Sequence, residues 1–221
     1  MIDALPTTSP RRLNARGLQS RERMLEAAVR LLWRDGYNGV SVNDICVAAG
    51  AQKGSFYHAF PSKDALVVEA IHDIWNANRA EIQEIYASSL PLRDRLRRHM
   101  EWFGQSQRRL KARYGFVPGT FNMALNIGAP ASVLEVNRQA TEEHGAMLLN
   151  AIADLLGAAG HSEDAVYWLT DVARRLIAGA HIEARIGNTL EPFETLPETV
   201  LALLGLGSPP NRASWRTAET D

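Results

Sequence analysis

Between Gly50 and Pro61 the chain has room for fewer than three helical turns. Ala49-Gly50 breaks the helical pattern that precedes it. Pro61 ends the pattern that follows, because proline lacks a backbone N–H and crowds the preceding turn. Inside these stops lies Gln52-Lys53-Gly54-Ser55-Phe56-Tyr57-His58-Ala59-Phe60. Phe56 and Phe60 are four apart and so share one face of a helix. Gln52, Lys53, Tyr57 and His58 then point elsewhere. A helix this short is not stable alone in water, so neighbouring helices must hold it by its two rings. The sequence thus asks for a small helical scaffold that displays a short polar helix.

The rest of the chain supplies helices. One begins near Ser20, carries Met24, Leu25, Ala28, Val29, Leu31 and Leu32 at helical spacing, and ends at Gly36, a left-handed cap. A second starts at Ser41, with Asp44 three residues on as an imperfect capping box, and buries Val42, Ile45 and Cys46. The short helix Gln52–Phe60 is third. Ser62 caps a fourth that runs through Leu66, Ile71, Ile74 and Trp75 towards Tyr86. Further helices are expected over Pro91–Arg113, Thr120–Asn126, Pro130–Leu156, Ser162–Ile186 and Pro192–Leu204, with Pro91, Pro130 and Pro192 in first turns. No segment alternates like a strand between hairpin signals. The expected fold class is all-α: a three-helix head followed by a larger helical body. The boundaries are a basic arm at 1–19 expected to be disordered, a head at 20–66, a body at 67–206 and a disordered tail at 207–221.

Charge separates the same two parts. Residues 1–63 hold nine Lys/Arg against five Asp/Glu, and the remainder 15 against 20, within a net charge of −1. A basic front on an acidic body suits a nucleic-acid-binding head joined to a module of another kind. Cys46 is the one cysteine, which excludes an intramolecular disulfide and fits a reducing cytoplasm. No apolar run approaches the roughly 20 residues needed to cross a bilayer. A secretory signal is not expected at Met1–Ser20, which lacks an apolar core.

A short helix with projecting polar side chains fits a major groove about 12 Å wide, and Gly54, without a Cβ, lets the backbone approach a duplex. Lys63 falls in the first turn of the fourth helix, where a cation opposes the helix dipole. Free N–H groups and a lysine there form a phosphate clamp; the alternative is a lysine solvated on a turn.

Several of these residues, in this order, resemble the tetracycline-repressor (TetR) family of transcriptional regulators. They are Ala27-Ala28-Val29-Arg30-Leu31-Leu32 with Gly36-Tyr37, then Ser41-Val42-Asn43-Asp44-Ile45 and the turn Ala49-Gly50-Ala51. The most specific stretch is Lys53-Gly54-Ser55-Phe56-Tyr57, continuing into Phe60, Ser62, Lys63 and Leu66. The likeness covers about residues 20–70. Gln52 departs from the usual serine or threonine, and Ala59 from a common aromatic or histidine. Gln52 can pair bidentately with adenine, so the operator sequence is expected to differ from those of relatives. The resemblance implies a helix-turn-helix head in which Ser41, Gln52, Lys53, Gly54, Tyr57, His58 and Lys63 contact double-stranded operator DNA. Arg11, Arg12 and Arg16 of the arm are expected either to add contacts or only to solubilise.

One head contacts too few phosphates for specific affinity, so a homodimer on a pseudo-palindromic operator is expected. By resemblance the last two long helices form the interface, with Leu169, Val172, Ala173, Leu176, Ala180, Val200 and Leu203 along it. By resemblance also, the body senses a small-molecule effector. Its wall is expected at Trp75, Phe103, Phe121, Met147, Tyr167 and Trp168, with Asn122, Asn126, His144 and Arg174 as polar partners. The resemblance as a whole implies a cytoplasmic repressor that the effector releases from DNA.

No chemistry is expected of the chain itself. The six histidines form no short metal-ligand pair. Adjacent acids such as Glu142-Glu143 diverge on a helix, and there is neither a glycine-rich phosphate loop nor a serine-nucleophile elbow. The expectation is no enzyme, no cofactor and no metal. Two rivals remain: an architectural DNA-binding protein with a filled body, and a helical enzyme or carrier with a vestigial head.

Overall fold

Ala15 opens α1, which runs to Asp35 in a computed structural model that describes residues 15–125 and 128–210. The helix starts ahead of the expected Ser20 and ends where Gly36 adopts φ +73° and donates to the Leu32 carbonyl at 2.9 Å. That left-handed conformation suits glycine, which has no Cβ to clash. α2 covers Val42–Ala49, α3 Lys53–Ala59 and α4 Lys63–Ala87. Ser41 caps α2 with a complete capping box: its Oγ accepts from the Asp44 N–H, and its own N–H donates to Asp44 Oδ2 at 2.8 Å. Ser62 caps α4 by accepting from the Ala65 N–H.

The body contains α5 (Leu92–Tyr114), α6 (Phe121–Leu125), α7 (Ala131–Ala158) and α8 (Glu163–Gly187). Asn188 closes α8 at φ +49°. Its amide oxygen accepts from the Val117 N–H at 2.8 Å, so the left-handed residue also ties α8 to the loop after α5. The expected last helix is broken into α9 (Glu191–Glu194) and α10 (Leu196–Leu203), with Thr195 between. Pro197 is the cause: it has no N–H to continue the ladder, and its ring crowds the preceding turn. Among the described residues there is no strand, and no helix is long and apolar enough to cross a membrane.

Two apolar cores result, divided differently from the expected boundary at residue 66. The first joins α1, α2, α3 and the start of α4 to Phe121, Ala124, Leu125, Ala129 and Val133 of the body. The second joins Ile82 of α4 to α5, the later part of α7, α8, α9 and α10. Trp33 of α1 meets Phe121 edge to face at 5.1 Å, so the head packs on α6 as well as on α4. Polar links cross the same seam. Arg21 pairs with Glu69, and Arg185 of α8 donates to the Trp33 carbonyl at 2.8 Å and the Pro118 carbonyl at 2.6 Å.

Candidate nucleic-acid interface

α3 is held by its rings and leaves its polar side outside. Phe56 and Phe60 are fully or almost fully buried, with centroids 5.7 Å apart, and Tyr57 meets the edge of Phe56 at 5.3 Å while staying 59% exposed. Gln52 is the N-cap of α3 but makes no side-chain capping bond, so its amide is uncommitted at the cap. Ser41, Gln52, Lys53, Gly54, Tyr57 and His58 are all exposed. A Cβ built on Gly54 would meet nothing within 4 Å beyond its own stretch of helix. Packing inside the head therefore sets no demand for glycine there.

Lys63 departs from the expectation of a phosphate clamp. Its ammonium donates to the Tyr37 and Val40 carbonyls, each at 2.9 Å, and lies 3.7 Å from the centre of the Tyr37 ring. Burial lowers its pKa, with neighbouring Asp64 opposing that effect. Asp64 in turn accepts from the Tyr37 hydroxyl. The lysine thus staples the loop between α1 and α2 to the start of α4. Two exposed residues of the same region went unread in the sequence: Ser55 on α3 and Val47 on α2, the latter 73% exposed. Val47 was discoverable, since Ile45, Cys46 and Ala49 take the inner face of α2. Arg16 is exposed on α1, while Arg11 and Arg12 lie outside the described residues.

In the body, the expected effector residues separate into four places. Trp75, Phe103, His144 and Met147 lie in or against the middle of the body, together with His99, Trp102 and His181, of which Trp75 packs on His144 at 5.4 Å and Phe103 on His99 at 5.0 Å. Phe121 belongs instead to the core shared with the head, and Asn122 accepts from the Asn137 amide at 2.9 Å. Tyr167 and Trp168 are corrections: they are 79% and 61% exposed and wall no interior. Arg174 is exposed and pairs with Asp171 at 2.7 Å; with Tyr167 it borders an open groove of about 620 Å³ between α7 and α8. Asn126 lies outside the described residues.

The interior histidines were missed as a group. His99 and His181 are buried and His144 half-buried, on α5, α8 and α7. Burial, reinforced by His144, pushes His99 down to about 3; burial, reinforced by His181, pushes His144 down to about 4. Burial also lowers His181, whose Nδ1–H donates to the Ile177 carbonyl at 2.9 Å. All three imidazoles are neutral near pH 7.

Known proteins resemble both the head and the whole architecture. Residues 24–70 match the family described as bacterial regulatory proteins, tetR family. Residues 24–70 are thus a TetR-family head. Among its relatives is the HTH-type transcriptional regulator LmrA of Bacillus subtilis, 41% identical over 66 residues, which are 29% of this chain and 35% of LmrA. The chain thus aligns with only about a third of that relative's length. The HTH-type transcriptional repressor NemR of Escherichia coli is 24% identical over 182 residues, 79% of this chain and 88% of NemR. A TetR-family regulator from Agrobacterium tumefaciens has the same fold, with a TM-score of 0.71 at 21% identity over 84% of this chain and 97% of that one.

A TetR head on this chain gives the outer face of α8 its interest. Ala173, Ala180 and Val200, expected at a dimer interface, are buried in the protomer's own second core. Ala173, Ile177, Ala180 and Ala184 recur at helical spacing and face inward. The opposite face carries Trp168, Val172, Gly179, Ile182 and Ile186, of which Trp168, Ile182 and Ile186 are exposed. Leu169 and Leu176 of α8 and Leu203 of α10 are half-buried and pack against the second core.

Proposed function

We propose that the chain is a homodimeric repressor that binds a pseudo-palindromic operator and leaves it when an effector occupies the body. The observation that carries this reading is the exposed side of α3. Six uncharged or cationic positions gather there on a helix whose opposite side is locked into a core. Gln52 and Tyr57 would read base edges, Lys53 and His58 would meet phosphates or bases, and Gly54 would admit the backbone. Ser41, at the start of α2, would meet the flanking phosphate.

The second copy would cover the outer stripe of α8. Three exposed large side chains on one helix face form the kind of apolar patch that marks an interaction site. Gly179, midway along, allows close helix approach. Two heads related by a two-fold axis would then enter successive major grooves, about 34 Å apart.

The effector would act where α4, α5, α7 and α8 converge, around Phe103 and His144. Two elements carry a change there to the head: α4, which spans both cores, and Arg185, which bonds α8 to Trp33. An effector shifts the equilibrium only by its differential affinity for the two conformers. Such a regulator works in the cytoplasm, where its DNA lies, and no catalytic role is assigned to it.

The test is binding of the purified full-length chain to fragments of its own upstream region, at several salt concentrations, followed by a metabolite panel. Binding to one fragment with a two-fold footprint, and release by at least one compound, is expected. Equal affinity for every fragment would overturn operator recognition. Tight compounds that never alter operator affinity would overturn the effector role.

A further inference from the structure

His99 and His144 are 45 residues apart in sequence, yet their Nε2 atoms lie 3.4 Å apart. Their ring planes agree within 7° and their centroids are 5.6 Å apart. The centroid separation exceeds the nitrogen gap by nearly two ring radii, so the rings do not lie face to face. They meet tip to tip, with the two Nε2 atoms opposed along one line. At 3.4 Å the contact lies at the long end of what an N–H···N hydrogen bond spans.

We infer that this opposed pair is a binding site for a two-coordinate monovalent soft cation, cuprous copper, held linearly between His99 Nε2 and His144 Nε2. Closed-shell Cu(I) accepts linear coordination by two neutral nitrogen donors. Tetrahedral zinc needs converging lone pairs and more ligands. Among the described residues no group of three or more His, Cys, Asp or Glu is placed to hold a metal, so two-coordination is what the pair offers. Two imidazole–metal bonds of about 2 Å each span about 4 Å in line. The gap would open by about 0.6 Å, within reach of His144, which is not fully buried and is followed by Gly145.

The surroundings fit one positive charge and no more. Phe103 packs on both rings, at 5.0 Å from His99 and 5.8 Å from His144. Trp75 stacks on His144 at 5.4 Å, and Trp102 presents an edge to each imidazole. Aromatic faces attract cations without a counter-charge. The bordering carboxylates, Glu81 and Glu143, accept hydrogen bonds from the indoles of Trp102 and Trp75 and lie outside the rings. On the far side of His99, Nδ1 is 2.9 Å from the Tyr86 hydroxyl. Donation from Nδ1–H to that oxygen leaves Nε2 bare, the orientation by which a hydrogen-bonded histidine serves a metal. Burial keeps both imidazoles unprotonated, so no proton has to be displaced near neutral pH.

Tyr86 belongs to α4, His99 to α5 and His144 to α7, so the cation would bridge three helices of the body. The site rests on the effector reading only for its consequence at the operator. Binding is therefore measured without DNA, and a failure here leaves operator recognition untouched.

The experiment is anaerobic titration of the full-length chain with Cu(I) against a chromophoric chelator. The expected result is one ion per chain, unchanged in Cys46→Ala, abolished in His144→Gln and weakened about 10- to 100-fold in Tyr86→Phe. The glutamine amide introduced by His144→Gln would still donate a hydrogen bond to His99 Nε2, so the fold is kept, as a thermal melt would verify. On the unaltered chain, X-ray absorption should show two nitrogens at about 2 Å and no sulfur. Sulfur in the first shell, full affinity in His144→Gln, or no bound Cu(I) would each overturn the assignment.

Discussion

Lys63→Met separates a staple from a phosphate clamp. The substitution keeps most of the stem's packing and removes the ammonium. In the parent, that ammonium satisfies the Tyr37 and Val40 carbonyls at 2.9 Å and sits over the Tyr37 ring. A hydrogen bond from a charged donor is worth about 1.5–3 kcal/mol. Lys63 is half-buried, so water can reach part of the vacated space, and the lower end of that range applies. The loss should be about 2–3 kcal/mol for the two carbonyls together. With a urea dependence near 2–3 kcal/mol per molar, the unfolding midpoint should fall by about 1 M, with unchanged slope. Salt dependence of operator binding supplies the second measurement. A staple leaves the slope of log K against log salt as it was, once the comparison is made below the unfolding range. A clamp lowers that slope by about one per lost phosphate contact and leaves the urea midpoint alone. A normal midpoint with a reduced slope would refute the staple.

Gln52→Ala should cost about 1–3 kcal/mol at particular base pairs while leaving non-specific affinity in place, as competition among single-base operator variants would show. A uniform loss over all sequences would remove Gln52 from base reading. Ile186→Glu, alone or with Trp168→Asp, should convert the dimer to monomer in light scattering and weaken operator binding at least about tenfold. A persistent dimer would place the interface elsewhere. For acid, the sign follows from the histidines. His99 at about 3, His144 at about 4 and the lowered His181 all bind protons less readily folded than unfolded, where the value is near 6.5. The unfolded state therefore takes up more protons below about pH 6.5, and stability present above that pH is lost as pH falls towards 4. Between pH 7 and 5 the drop should be on the order of 3 kcal/mol in urea titrations. His144→Gln should remove part of it, and a flat profile would contradict neutral burial of the three rings.

The head was legible because its signals are local. Gly36, Ser41, Gly50 and Pro61 each stop or start a helix through their own backbone chemistry, and the structure places helix ends at all four points. The same holds for Pro91, Pro130 and Ser162 ahead of α5, α7 and α8. The body was less legible because its content is tertiary. α8 carries two apolar faces, one through Ala173 and Ala180 and one through Trp168 and Ile186, and periodicity does not say which meets the protomer's own core. His99 and His144 have no spacing rule, since α5 and α7 bring them together only when packed. Lys63 looked like a misplaced cation at a helix start, and the carbonyls that employ it come from Tyr37 and Val40, on the far side of two turns.

Trp33 packs on Phe121, and the apolar interior of the first four helices runs on through Leu125 to Val133. Regulators of this kind invite chimeras, in which one protein's reader is grafted to another's sensor. A graft cut near residue 66 would leave Trp33 against a foreign wall and Arg185 with no carbonyl of Trp33 to meet. The transplantable unit is larger than the reader alone and must carry the short sixth helix and the opening of the seventh with it.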